Sequence, residues 1–150
     1  TSGYYGGLEG IMHLQMRGDD LYPTRGEEPY IWEYLSFVNT TNTKDLSWGN
    51  IYEGIQMANE FIYRAATVDM DETKREQMIG EAYFLRGFWY FRLRTDYRDA
   101  VIRTLPQDAD PETHGLSSGD EVLEQAISDF KEAKSRLPKL RSSDENGRVT

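Results

Sequence analysis

The chain has no cysteine among its 150 residues, which removes disulfides, zinc-thiolate sites, iron-sulfur clusters and thiol nucleophiles from consideration. It is also short of positive charge, with 17 lysines and arginines against 26 aspartates and glutamates and a formal net charge of -9. A surface of that sign repels a phosphate backbone, and no basic cluster makes a local exception, so nucleic acid is not an expected partner. No apolar run approaches the roughly 20 residues of a membrane span, and if the parent chain is exported, its signal peptide is expected to be absent from this sequence. Catalytic patterns are missing too. There is no HExxH, P-loop or GxSxG, and neither His13 nor His114 stands beside a nucleophile.

What the chain does hold is aromatic residues, 13% of the total, within a hydrophobic fraction of only 38%. Disordered chains are aromatic-poor, and a chain of this length buries roughly 70% of its unfolded surface on folding. One folded domain over residues 1–150 with a large solvated surface is the expectation.

Apolar spacing organises the chain. Tyr4, Leu8, Ile11 and Leu14 recur at helical steps before Gly18. Residues 18–45 are rich in turn formers and read as an irregular surface excursion, with at most a short element around Tyr30 to Phe37. From Trp48 the positions Ile51, Tyr52, Ile55, Asn59, Ile62 and Ala66 predict an amphipathic helix over about 45–66. Asp69 and Asp71 are candidate caps for a second helix over about 71–96, with Met78, Ala82, Leu85, Trp89 and Leu93 on one stripe. So short a connection makes these two helices antiparallel neighbours. Residues 101–117 hold Pro106 and Pro111 and read as a polar connector. Ser118 and Glu121 then stand in capping-box register ahead of a third helix over about 119–137, with Val122, Ala126, Ile127, Phe130, Ala133 and Leu137 apolar and Pro138 beyond its end. The class predicted is all-α.

Within the second helix, GEAYFLRGFWYFRL places six aromatic residues in nine positions. Because Trp89 continues an apolar stripe, the cluster is read as core rather than as a ligand platform. Glu81 and Arg86 are expected to find backbone or opposite charge near it, since an unpaired half-buried ion is costly.

Four pieces in order, WGNIYEGIQMANEFI, GEAYFLRGFWYFRL, ISDFKEAKSRLP and GRVT, resemble the SusD/RagB family of outer-membrane nutrient-binding lipoproteins. The resemblance rests on Trp48, Tyr52, Ala58, Asn59, Glu81, Ala82, Leu85, Arg86, Tyr90, Asp129, Ala133, Leu137 and Pro138. One departure stands out: where the family has an aromatic, a Gly and then a Pro after the second helix, this chain reads DYRDAVIR, with Arg98 and Val101 in those places. The resemblance implies a tetratricopeptide-like helical bundle and the N-terminal part of a longer, lipid-anchored chain on the outer face of the outer membrane. It further implies non-catalytic capture of oligosaccharide or peptide for a SusC-type TonB-dependent transporter, with no cofactor. A tetratricopeptide-like scaffold that binds only protein, and a glycan hydrolase, remain as rival readings.

Candidate ligand residues come from the excursion. Sugar rings offer an apolar face to an indole or phenol and hydroxyls to carboxylates, guanidinium and amides. Asp19, Asp20, Arg25, Trp32, Tyr34 and Asn39 supply both kinds of group, although the residues alone favour Trp32 and Tyr34 merely pinning the loop to the helices. Other candidates are weaker. Glu9 and His13 lie one helical turn apart, as in a metal site, but read better as a solvated face. DADPETHG over residues 108–115 begins like a calcium loop, then has Thr113 where the loop needs Gly. No metal is expected.

Overall fold

The computed structural model describes residues 48–140, 145 and 147–150, nearly all of them within the second of two compact units, Ile51–Thr150. The helix expected before Gly18, the excursion, and all six candidate ligand residues lie outside the described residues.

Three α-helices carry the described part: α1 (Trp48–Arg64), extended by a 3-10 turn over Ala65–Thr67, α2 (Glu72–Asp96) and α3 (Gly119–Arg136). Their ends are written in the sequence. Asp71 caps α2 by accepting from the Lys74 N–H at 2.9 Å. Ser118 and Glu121 close a reciprocal capping box on α3, satisfying amides that a helix start leaves without partners. Lys134 and Arg136 occupy its last turn, where cations suit the carbonyl end of the dipole. No helix of the described residues is long and apolar enough to cross a membrane, and the extended pairing among them is one antiparallel bridge, Ala100 to Ser117.

α2 lies between the other two helices. On one side Gly54 of α1 meets Trp89, and a methyl group there would overlap the indole. On the other side the neighbours run in opposite order: Gly80 faces Arg136 and Leu137, Phe84 faces Phe130, and Gly87 faces Ala126 and Asp129. As one number rises the other falls, so α2 and α3 are antiparallel. The glycines let the backbones approach closely. A Cβ at Gly87 would stand 3.1 Å from the Ala126 carbonyl oxygen.

The core comprises Ile51, Ile55, Ala58, Trp89, Tyr90, Leu93, Val122, Ala126 and Ala133, all buried. Of the α2 stripe expected from periodicity, Ala82, Trp89 and Leu93 are buried. Leu85 is 48% exposed, and Ile127 on α3 is 43% exposed. The buried arc of α2 is wider than that stripe and also takes in Gly80, Arg86, Gly87 and Tyr90, because a helix flanked on two sides buries small and polar positions that apolar periodicity does not count. The aromatic cluster divides accordingly. Trp89 and Tyr90 are core, while Phe91 on the opposite face is 45% exposed.

Candidate functional site

The chemistry-bearing side chains among the described residues converge on the connector between α2 and α3. It begins with Arg98 in the left-handed region at φ 70, a conformation that costs a residue with a Cβ about 1–2 kcal/mol. Arg98 occupies the place where the resemblance expects Gly, the residue that adopts this conformation at no steric cost. Asp99 Oδ1 then accepts from the Gly119 N–H at 2.8 Å, and Ala100 pairs with Ser117 through bonds of 3.2 and 2.9 Å. The two ends of the connector are thereby tied together at the start of α3.

Beyond Ala100 the backbone is held by side chains instead of a neighbouring strand. The Tyr52 hydroxyl of α1 donates to the Val101 carbonyl and accepts from the Val101 N–H, each at 2.8 Å. The Tyr90 hydroxyl of α2 does the same at Arg103, at 2.6 and 2.7 Å. A phenol is both donor and acceptor, so each satisfies the two backbone groups of one residue. Asn59 Nδ2 donates to the carbonyls of Arg103 and Leu105 at 3.0 and 3.2 Å. Burial raises the pKa of both phenols, with Tyr90 affected far more, so they remain protonated through neutral pH.

At the centre Arg86 and Asp129 make a two-bonded ion pair, Nε to Oδ2 at 2.9 Å and Nη2 to Oδ1 at 2.7 Å. Their side chains are 6% and 2% exposed. Arg86 Nη1 also donates to Asn59 Oδ1 at 2.8 Å and to the Thr104 carbonyl at 3.0 Å, and Gln125 donates to Asp129 at 3.0 Å. Burial lowers the pKa of Arg86, but the bonds and charge of Asp129 outweigh it and the guanidinium stays charged. Every group in this hub has a protein partner. It has the form of a structural joint between three helices and a connector, and it offers no free base beside a nucleophile.

The remaining candidates resolve in the same direction. Glu81 is gripped by Arg148 through bonds of 2.8 Å each, which pins the GRVT piece to α2. Within the calcium-like stretch Asp108 bonds Arg64 at 2.6 Å and Asp110 bonds His114 at 2.7 Å, so the carboxylates do not converge. No group of metal-binding side chains occurs among the described residues. A groove of about 470 Å³ lies along α2 and α3, lined by Phe84, Phe130, Ala133, Leu137 and Pro138 with Lys134 and Lys139 at its sides. Thr150 completes the lining, so the polar groups of this mainly apolar groove are two lysine ammoniums and the residue Thr150. The backbone-holding role of Tyr52 and Tyr90 was missed in the sequence. The available signal was a tyrosine on a buried stripe, whose hydroxyl requires a partner.

Comparison with known proteins agrees with the fold and the motif order. A SusD-like family described as starch-binding and associating with the outer membrane matches residues 20–150. A laminarin-binding SusD-like protein of solved structure is 26% identical, with a TM-score of 0.85, over 99% of this chain and 34% of its own. A SusD-like protein from Bacteroides fragilis is 28% identical, with a TM-score of 0.67, over 72% of this chain and 21% of its own. A SusD-like carbohydrate-binding protein from Bacteroides vulgatus is 28% identical, with a TM-score of 0.61, over 71% and 25%. The chain therefore spans about a third or less of the length of these relatives. No curated protein matches it. With the family match covering most of the sequence and the three helices in the same order, this chain belongs to the SusD-like family.

Proposed function

We propose that the protein is the N-terminal helical region of a longer SusD-like chain that binds glycan without cleaving it and passes it to a SusC-type TonB-dependent transporter at the outer membrane. The observation that carries this reading is the family match over residues 20–150, joined to a relative of known laminarin binding that superposes on 99% of the chain. The geometry is in keeping with it. The described helices form a joint whose charged groups are spent on one another, which suits a rigid support for a binding surface better than a reaction centre. Anchoring is by lipid in this reading, and affinity comes from stacking and hydrogen bonds supplied by Asp19, Asp20, Arg25, Trp32, Tyr34 and Asn39, with a peptide as the second ligand class.

The test is calorimetric titration of the full-length protein with neutral oligosaccharides and with peptides. Trp32→Ala is expected to weaken glycan binding by about 1–3 kcal/mol, the usual cost of deleting an aromatic anchor, with the circular dichroism spectrum unchanged. His13→Ala is expected to leave affinity alone. Unchanged affinity in Trp32→Ala moves the site out of the excursion, and absence of glycan binding by the parent removes the reading.

A further inference from the structure

Along α1 a row of polar side chains is fixed in place before any ligand arrives. Gln56 donates to Glu60 at 3.0 Å, Arg64 Nε donates to the other Glu60 oxygen at 2.6 Å, and Arg64 Nη2 donates to Asp108 Oδ2 at 2.6 Å. Gln56, Glu60 and Arg64 share one helix face at steps of four, which alone would be an ordinary surface ion-pair ladder. Two features go further. Asp108 is drawn in from the connector, 44 residues away in sequence, so the row bridges two separate parts of the chain. Over one face of Tyr63, a ring 52% exposed, lies the Arg64 guanidinium, its carbon 5.9 Å from the ring centre. Tyr63 takes no part in the core.

We propose that Tyr63, Arg64 and Asp108, none of them residues of the excursion, form a saccharide-contact surface on the described part of the chain. This inference rests on the glycan-binding reading and assigns it residues within the helical scaffold. A pyranose ring stacks an apolar face on the side of the phenol that Arg64 does not cover, while hydroxyls reaching past the ring edge engage the guanidinium and the carboxylate bonded to it. The internal bonds leave Arg64 Nη1 and Asp108 Oδ1 for such hydroxyls, in a pair whose spacing the 2.6 Å bond already fixes. Holding the acceptor and donor together in advance lowers the ordering cost of binding. One guanidinium between two carboxylates leaves no excess positive charge, so the sugar class is neutral hexose rather than uronate or sulfated glycan.

The test uses the full-length protein and neutral gluco-oligosaccharides of α and β linkage, with oligogalacturonate as the anionic comparison. Tyr63→Ala is expected to weaken binding of at least one neutral oligosaccharide about 3- to 30-fold, with an unchanged melting temperature because the ring is outside the core. Tyr63→Phe is expected to bind within about twofold of the parent, since the stacking face is retained. Arg64→Ala should lower affinity comparably. Oligogalacturonate should bind no better than neutral sugar. If the parent binds neutral sugar and Tyr63→Ala binds it equally well, this surface is overturned and the glycan-binding reading survives. Preference for oligogalacturonate overturns the assignment to neutral hexose. If the parent binds no sugar at all, the broader reading fails and takes this inference with it.

Discussion

Arg86 on α2 and Asp129 on α3 are joined by two bonds of 2.9 and 2.7 Å inside the core, and the same guanidinium reaches Asn59 on α1 and the Thr104 carbonyl of the connector. One side chain therefore couples all three α-helices and the connector. Removing one member of such a pair leaves a buried charge unpaired, which typically costs about 3–5 kcal/mol. Asp129→Ala is expected to destabilise by that amount in urea unfolding. Arg86→Met combined with Asp129→Leu is expected to cost less than the two single changes added together, because the unpaired charge disappears. Additive losses would contradict the coupling.

The two tyrosines that hold the connector are expected to act through their hydroxyls. Tyr52→Phe leaves the Val101 N–H and carbonyl without this partner, and Tyr90→Phe does so for the Arg103 N–H, while Asn59 still donates to the Arg103 carbonyl; the cost is about 1–3 kcal/mol per unsatisfied group. Hydrogen exchange at Val101 should quicken in the first variant and at Arg103 in the second. If exchange quickens equally along the whole chain, the effect is general destabilisation and not loss of a local tether.

These phenols also set a pH dependence. Burial raises both above their ordinary value, so the folded chain keeps protons that the unfolded chain releases near about pH 10. Their contribution is complete below that pH and is lost as pH rises from it toward the folded values. Unfolding free energy measured from pH 9 to 11 should fall, and fall less steeply when both tyrosines are phenylalanine. An equal slope in the double variant would contradict the assignment.

Close approach of α1 and α2 depends on Gly54. Gly54→Ala is expected to cost about 1–3 kcal/mol through displacement of Trp89, and Trp89→Ala about 3–5 kcal/mol as a large core deletion. Gly49→Ala is the control. Nothing lies within 4 Å of a Cβ there, so alanine should be neutral or stabilise by up to about 1 kcal/mol through helix propensity. Thermal melts of the three variants decide it.

At Arg98 the expectation runs the other way. Its φ of 70 favours glycine, so Arg98→Gly is expected to be neutral or to stabilise by up to about 1 kcal/mol, offset in part by the freedom glycine adds to the unfolded chain. A clear loss of stability in denaturant would show that the Arg98 side chain contributes more than its backbone costs.

Legibility in the sequence followed the physics of each element. Helix boundaries were readable to within a few residues because capping is local: Asp71 and the Ser118–Glu121 box sit where their spacing puts them. The α2 stripe through Ala82, Trp89 and Leu93 was readable, but the full width of the buried face was not, since Gly80 and Gly87 mark contact by having no side chain, and Arg86 is buried only because Asp129, 43 residues away, neutralises it. The left-handed turn at Arg98 was hidden for a related reason. Its backbone is imposed by the ties of Asp99 and Ala100 to the start of α3 and not by its own preference. The ligand residues of the excursion stand on composition alone, and they await the titration described above.

The central claim is capture without chemistry, and it is tested most directly by incubating the full-length protein with defined neutral oligosaccharides, separating bound from free sugar, and determining the chain length of what is recovered. The account expects saturable binding and recovered oligosaccharide of unchanged length, with no new reducing ends after prolonged incubation. Shortened sugar would contradict it by making the protein a hydrolase, and no retention of any glycan in the panel would contradict it by leaving the helices a scaffold for protein alone.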